Sequence, residues 1–273
     1  MVSKVALIEL KKDARSSLRQ ALNLIGKVDD LNTSRRAVVV KLGVFDHREK
    51  NHATVNVVIA IVKNFNRSPK ILLAEADNYK GTGSERLQIW KGLFNERIVP
   101  FDLSEDTDTR ELKVVDEVIP FSNAVFKPNA LVSVHVLRDW EAGSALKNLL
   151  GLIPDRKKAR FHRKGLAKAL IDIYEGVGGI DLAVLDGTYS YLGKARVRTN
   201  LILVGRDAVA VDAVGGYLVG LNPGKMPVVQ EAVRRGIGEG DMGKIEVVGC
   251  SLENAREKID KLLEVHSKRD KRR

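Results

Sequence analysis

Lys147 and Asn148 stand side by side in the run SALKNLLG, with His162 following in ARFHRK and Arg138 preceding in VHVLRDW. An ammonium group neutralises a carboxylate or phosphate, and a neighbouring amide orients it through directed hydrogen bonds. An imidazole adds a proton shuttle or a ligand to the same set. Glu75, Asp77, Asp186 and Asp207 each follow a short apolar run, in ILLAEAD, DLAVLDG and LILVGRD. Carboxylates so placed can work as acid and base or chelate a divalent metal, for which Glu75, Asp77 and Asp186 form the candidate set. Asp186 is equally suited to capping its turn, and Asp207 to capping the helix that starts at Ala208. Lys41 in AVVVKL and Asp212 in AVAVDAVGG lie among apolar neighbours and, once buried, must find partners.

Other residues carry weaker chemistry. Gly81-Thr-Gly83 between a strand-like and a helix-like run has the look of a phosphate cradle, but Arg86 stands where the third glycine of a dinucleotide fingerprint belongs. Glu105, Asp106 and Asp108 read as solvated loop carboxylates, and His47 and His52 are too isolated for a zinc site. The single cysteine, Cys250, forms no internal disulfide and holds neither a zinc nor an iron-sulfur cluster by itself, so no cluster is expected in one chain.

The net charge of +11 over 273 residues is concentrated. Residues 156–168 carry +7, through Arg156, Lys157, Lys158, Arg160, Arg163, Lys164 and Lys168, and residues 267–273 carry +4, leaving the rest balanced. A local patch of this kind favours a phosphate-bearing or otherwise anionic partner. Only Phe161 lies within the patch, so no aromatic platform for stacking bases accompanies it.

These residues need a scaffold, and hydrophobic periodicity supplies one. Strand-like runs at Val5–Leu10, Ala37–Leu42, Lys70–Ala74, Arg97–Leu103, Leu112–Ile119, Ala130–Val136, Asp181–Leu185, Asn200–Val204 and Ile245–Val248 alternate with helical patterns. The helices are expected after Asp13 and Thr54, over Ser84–Asn95, Ser144–Leu152, Gly165–Tyr174, Ala208–Val219 and Pro227–Arg235, and from Leu252 to His266. The alternation predicts an α/β fold with a largely parallel sheet and helices on both faces. An irregular middle, Val99–Pro128, would separate two α/β lobes, 1–125 and 126–266, followed by a basic tail, 267–273. In such sheets ligands bind beyond the carboxyl ends of the strands, where Glu75, Asp77, Asp186 and Asp207 all fall.

The segments NALVSVHVLRDWEAGSALKNLLGLIPDRKKARFH, DLAVLDGT, LILVGRDAVAVDAVGGYLVGLNP and EAVRRGIGEGDMGKIEVVG together resemble the domain of unknown function family 362, widespread in archaea and bacteria. VVVKLGV, HATVNVVIAIV and ILLAEADNYKGTGS extend the likeness toward the N-terminus, over about residues 35–250. The family implies no reaction. Several members add a ferredoxin-like domain with cysteine clusters, which this chain lacks, so a cluster-based redox role is not implied. Lys147, Asn148, Gly151, His162, Asp186 and Asp212 match the family pattern. Arg138 and Trp140 stand where a Lys and then a His are frequent, and Lys41-Leu42-Gly43 where Lys-Pro-Asn is.

The resulting expectation is a binding protein, or a metal-assisted enzyme, that holds a small anionic ligand in a crevice of Lys147, Asn148, Glu75 and Asp186, with Arg138 and His162 at its mouth. The alternative is an RNA- or ribosome-associated protein using residues 156–168 and the tail. No run of about 18 apolar residues and no signal-peptide pattern is present, so a soluble, cytoplasmic protein without membrane contact is expected.

Overall fold

The computed structural model describes residues 2–11, 13–193 and 195–270, the side chains of 267–270 excepted; the basic tail therefore lies outside the described side chains. In chain order the elements are β1 (Ser3–Glu9), α1 (Ala14–Leu24), β2 (Val38–Leu42), β3 (Val44–Asp46), β4 (Asn51–His52), α2 (Val55–Asn64), β5 (Ile71–Glu75), α3 (Gly83–Leu87), β6 (Ile98–Asp102), β7 (Thr109–Val114) and β8 (Glu117–Ser122). They continue with β9 (Ala130–Arg138), α4 (Phe161–Lys164), α5 (Leu166–Val177), β10 (Leu182–Leu192), β11 (Ala195–Val197), β12 (Leu201–Gly205), α6 (Ala208–Leu218), α7 (Pro227–Arg234), β13 (Ile245–Gly249) and α8 (Leu252–Asp270).

The main sheet runs β13-β1-β12-β10-β9-β2-β5-β6, with β11 attached to β10. Pairing is parallel from β10 through β6 and between β13 and β1, while β12 and β11 run antiparallel to their neighbours. Every residue of β2 and β9 is buried, as expected for strands covered on both faces. Alternate side chains feed two cores: Val39, Leu131 and Leu185 on one face with α5 to α7, and Val38, Val40, Val132 and Val184 on the other with α1 and α2.

The α/β expectation holds, but strands of the two expected lobes share one sheet. β9 is hydrogen-bonded between β2 and β10, and β1 lies among strands of the second half, so position 125 divides no sheet. The irregular middle forms a β7–β8 hairpin whose turn places Val115 at φ 60°. The helix expected over 84–95 is a short α-helix followed by a 3-10 turn, and that over 144–152 is a 3-10 helix at Lys147–Leu152.

Asp186 fixes how α2 meets the sheet. Its side chain is fully buried and accepts from the backbone N–H and hydroxyl of Thr54 at 2.7 Å each, and from the N–H and hydroxyl of Thr188 at 2.8 and 2.6 Å. Thr54 is the N-cap of α2 but makes no side-chain capping bond within its own helix, so Asp186 supplies the acceptor across the fold. Removing a buried acceptor strands all of those donors. Urea denaturation of Asp186→Ala is expected to show a loss of about 3 kcal/mol or more in unfolding free energy; an unchanged midpoint would show that this contact does not hold the fold.

Candidate functional site

A cavity of about 500 Å³ opens at the carboxyl ends of β2, β5 and β9, as the sheet topology predicts. Glu75, Lys147, Asn148 and His162 line it, as expected, and so do Lys41, Arg86, His135 and Lys158.

Its floor is built around charge. Lys41 follows Val40 on β2 and donates from Nζ to Glu75, to Asn148 Oδ1 at 3.1 Å and to its neighbour's carbonyl, Leu42 O, at 2.8 Å. Arg86 on α3 pairs with the other Glu75 oxygen and donates to Ala76 O at 2.7 Å, while its Nε has no partner. Lys158 turns inward and donates only to Ile153 O at 2.5 Å. Lys41, Arg86, Lys158 and Glu75 are at most 7% exposed, so three buried basic groups share one buried carboxylate. Burial, and then the Arg86 guanidinium, hold Lys41 well below the ordinary lysine range; burial, with Lys41 and Arg86 nearby, does the same to Lys158. Burial lowers Arg86 only to about 10, so it stays charged at neutral pH.

Backbone choices make this floor fit. A Cβ on Gly151 would lie 2.6 Å from Lys41 Nζ, so only glycine leaves room for the ammonium. Asn148 is braced by its amide nitrogen, which donates to Lys41 O at 2.9 Å and Ser133 Oγ at 3.1 Å. The segment feeding Lys147 and Asn148 hangs from α6: Asp212 accepts from the amides of Ser144, Ala145 and Leu146 at 2.8, 2.8 and 2.9 Å. Burial raises Asp212 to about 6 against the opposing pull of those amides. Asp212 is thus a structural clamp.

At the mouth, Lys147 Nζ lies 2.9 Å from His162 Nε2. Burial pushes Lys147 down to about 8, and burial with the Lys147 charge lowers His162 as well. His135 is buried on β9; its Nδ1 sits 2.9 Å from Val136 O and so carries the proton, leaving Nε2 as an acceptor. Burial holds it down to about 3, neutral at any physiological pH. A Cβ on Gly43 would overlap the His135 ring, so the glycine after Lys41-Leu42 gives that ring its seat. Phe45, Tyr79 and Trp140 add aromatic wall.

Several expectations are corrected. Asp186 does not line the cavity, because its four donors enclose it. Arg138 is also absent from the lining: it is buried between the rings of Trp140 and Tyr191, 4.5 and 4.7 Å from their centroids. Asp77 accepts from Gly83 N at 3.0 Å and Arg156 Nε at 2.9 Å, and Asp207 caps α6. Glu75, Asp77 and Asp186 therefore do not form a metal site, and among the described residues no three His, Cys, Asp or Glu side chains gather as one. The Gly81-Thr-Gly83 loop is no phosphate cradle: Glu85, Asp77, Asp102 and Thr82 side chains already accept the N–H groups of Thr82, Gly83, Ser84 and Glu85.

The basic run is not an open cationic face. Arg156 pairs with Asp77, Arg160 with Glu117 and Asp155, Lys164 with Asp116 and Glu117, and Lys168 with Asp172, while Lys158 is buried in the cavity wall. Lys157 and Arg163 remain exposed without such a pairing among the described contacts. No helix among the described residues is long and apolar enough to cross a membrane.

A cavity lined by charged and aromatic side chains thus lies at the carboxyl edge of a mostly parallel sheet, the place where α/β proteins hold ligands. The family model of the domain of unknown function DUF362 matches residues 38–216, and the chain belongs to that family. The match spans β2 through most of α6 and so covers the whole cavity floor. No curated protein matches the chain.

Lys158 is a buried amine without a carboxylate of its own, and giving up its proton or holding it there costs the fold. In the absence of added anions, Lys158→Met should raise unfolding free energy in urea by about 1–2 kcal/mol at neutral pH. A loss of similar size would mean that the Ile153 contact outweighs the cost of burying the amine.

Proposed function

We propose that the protein binds a small anionic ligand, a carboxylate or phosphate, in this cavity. One observation carries the reading: Lys41, Arg86 and Lys158 are buried around a single carboxylate, Glu75. Three basic groups to one carboxylate keep the lysines from holding their protons, and a ligand anion would supply the counter-charge that restores them. The Arg86 Nε, which has no partner among the described residues, adds directed donor capacity, and Lys147 adds a further basic group at the mouth. The cavity size suits a metabolite rather than a polymer, and the ion pairing of residues 156–168 removes the local support for the RNA-binding alternative.

Because an anion favours the charged form of each lysine, binding takes up protons. Lys147 titrates at about 8, charged below and neutral above, so affinity is fully present on the acid side and is lost as pH rises through that value. Sulfate is a suitable probe since its own charge does not change there. Calorimetric titration with sulfate should show proton uptake in buffers of different ionisation enthalpy, and affinity falling by up to about tenfold per pH unit above 8 for each proton taken up. Proton release, or no binding of either sulfate or phosphate, would defeat the reading.

A further inference from the structure

Among the cavity lysines, Lys147 is distinct. Lys41 is tied to Glu75, Asn148 and Leu42 O, and Lys158 to Ile153 O. The hydrogen-bond partner of Lys147 is instead an imidazole nitrogen, His162 Nε2, at 2.9 Å. For that contact to be a hydrogen bond, only one of the two facing nitrogens can carry the shared proton. The pair is an amine and a base in contact, sharing one proton at the mouth of a cationic cavity.

The backbone under the pair is fixed. Lys147 opens a 3-10 helix, its preceding amides are clamped by buried Asp212, and its neighbour Asn148 is hydrogen-bonded into the sheet. Its amine, held by His162, lines the same cavity as Lys41, Arg86 and Lys158. Burial holds Lys147 at about 8 and depresses His162, so an unprotonated amine is available near neutral pH.

We infer that Lys147 is an amine nucleophile and that the ligand is a small oxo-acid whose carboxylate sits on the Lys41, Arg86 and Lys158 floor and whose carbonyl carbon Lys147 captures as an imine. This rests on the anion-binding reading above. The Lys147 lone pair forms the C–N bond as the C=O π pair moves onto oxygen. His162 takes one proton from nitrogen and delivers it to that oxygen, giving the neutral carbinolamine. The nitrogen lone pair then expels the hydroxyl, and the remaining N-proton follows to it through the same imidazole. The products are a neutral imine and water, with His162 returned to its starting state.

The test is reductive trapping of the full chain with pyruvate and cyanoborohydride, with acetone as the uncharged ketone control, read by intact mass and peptide mapping. Pyruvate should give one adduct on Lys147, formed at least about tenfold faster than on Lys157 or other exposed lysines. Sulfate should compete, acetone should label Lys147 poorly, and the folded Lys147→Arg variant, which keeps the charge and loses the nucleophile, should give no adduct. His162→Asn should still be trapped at Lys147 but more slowly, with an altered pH profile. Labelling of all exposed lysines at equal rates overturns the inference. Calorimetric binding of pyruvate without an adduct overturns the covalent step alone and leaves the anion site standing; absence of both binding and adduct overturns both.

Discussion

The structure depends on how Glu75 is shared. One carboxylate at the end of β5 meets the ammonium of Lys41 from β2 and the guanidinium of Arg86 from α3, all nearly sealed from water. A buried pair is costly when either partner is left alone, so these groups lock the relative positions of two parallel strands and the helix that follows them. The shape of the nearby chain follows: Gly151 yields space to the Lys41 ammonium, and Asn148 sits where it accepts from Lys41 and donates to the Lys41 carbonyl. Basic groups around Glu75 outnumber it three to one, and on the proposed reading that excess is what an anion would complete.

The other carboxylates, at strand ends and in α6, do different work. Asp186, Asp207 and Asp212 each accept two or more backbone N–H groups or a mixture of amides and hydroxyls, and each joins elements far apart in sequence. A carboxylate with its lone pairs filled in this manner is a bracket, with little capacity left for a metal or a substrate. Asp186 holds the start of α2 against β10, and Asp212 holds the approach to Lys147 against α6. What faces the cavity is mainly basic because most of the carboxylates have been used to position the chain around it.

The sheet, the order of strands and helices and the strand-end location of the cavity were legible in the sequence, because period-two burial and apolar runs report directly on the local chain. Partnership was not. Asp186 and Glu75 follow apolar runs of the same kind, yet one is enclosed by threonines and the other by cations, a distinction set by residues more than a hundred positions away or by a neighbouring strand. His135 carried a signal that went unused: in VSVHVLR it shares with Ser133 one face of a strand buried throughout, so a polar side chain there had to line something. The two-lobe expectation failed because β1 leaves its sequence neighbours to pair with β12 and β13, a non-local choice that hydrophobic patterning does not encode.

The basic run shows most clearly why location must be read before charge. Summed along the sequence, residues 156–168 look like a surface for polyanions; folded, their charges are divided among acidic partners on β5's loop, the β7–β8 turn and α5, and one lysine is withdrawn into the cavity. What remains distinctive is the identity of the cavity cations. Three are lysines, whose ionisation burial can shift, while Arg86 on the floor and Arg156 at the rim stay charged near neutral pH. A floor made of arginines would carry its full charge at every moment of folding and strain the fold accordingly. A floor made mainly of lysines sheds protons when counter-charge is scarce and, on the proposed reading, would recover them on binding an anion, so a stable core and an electrostatic site make compatible demands on the same residues.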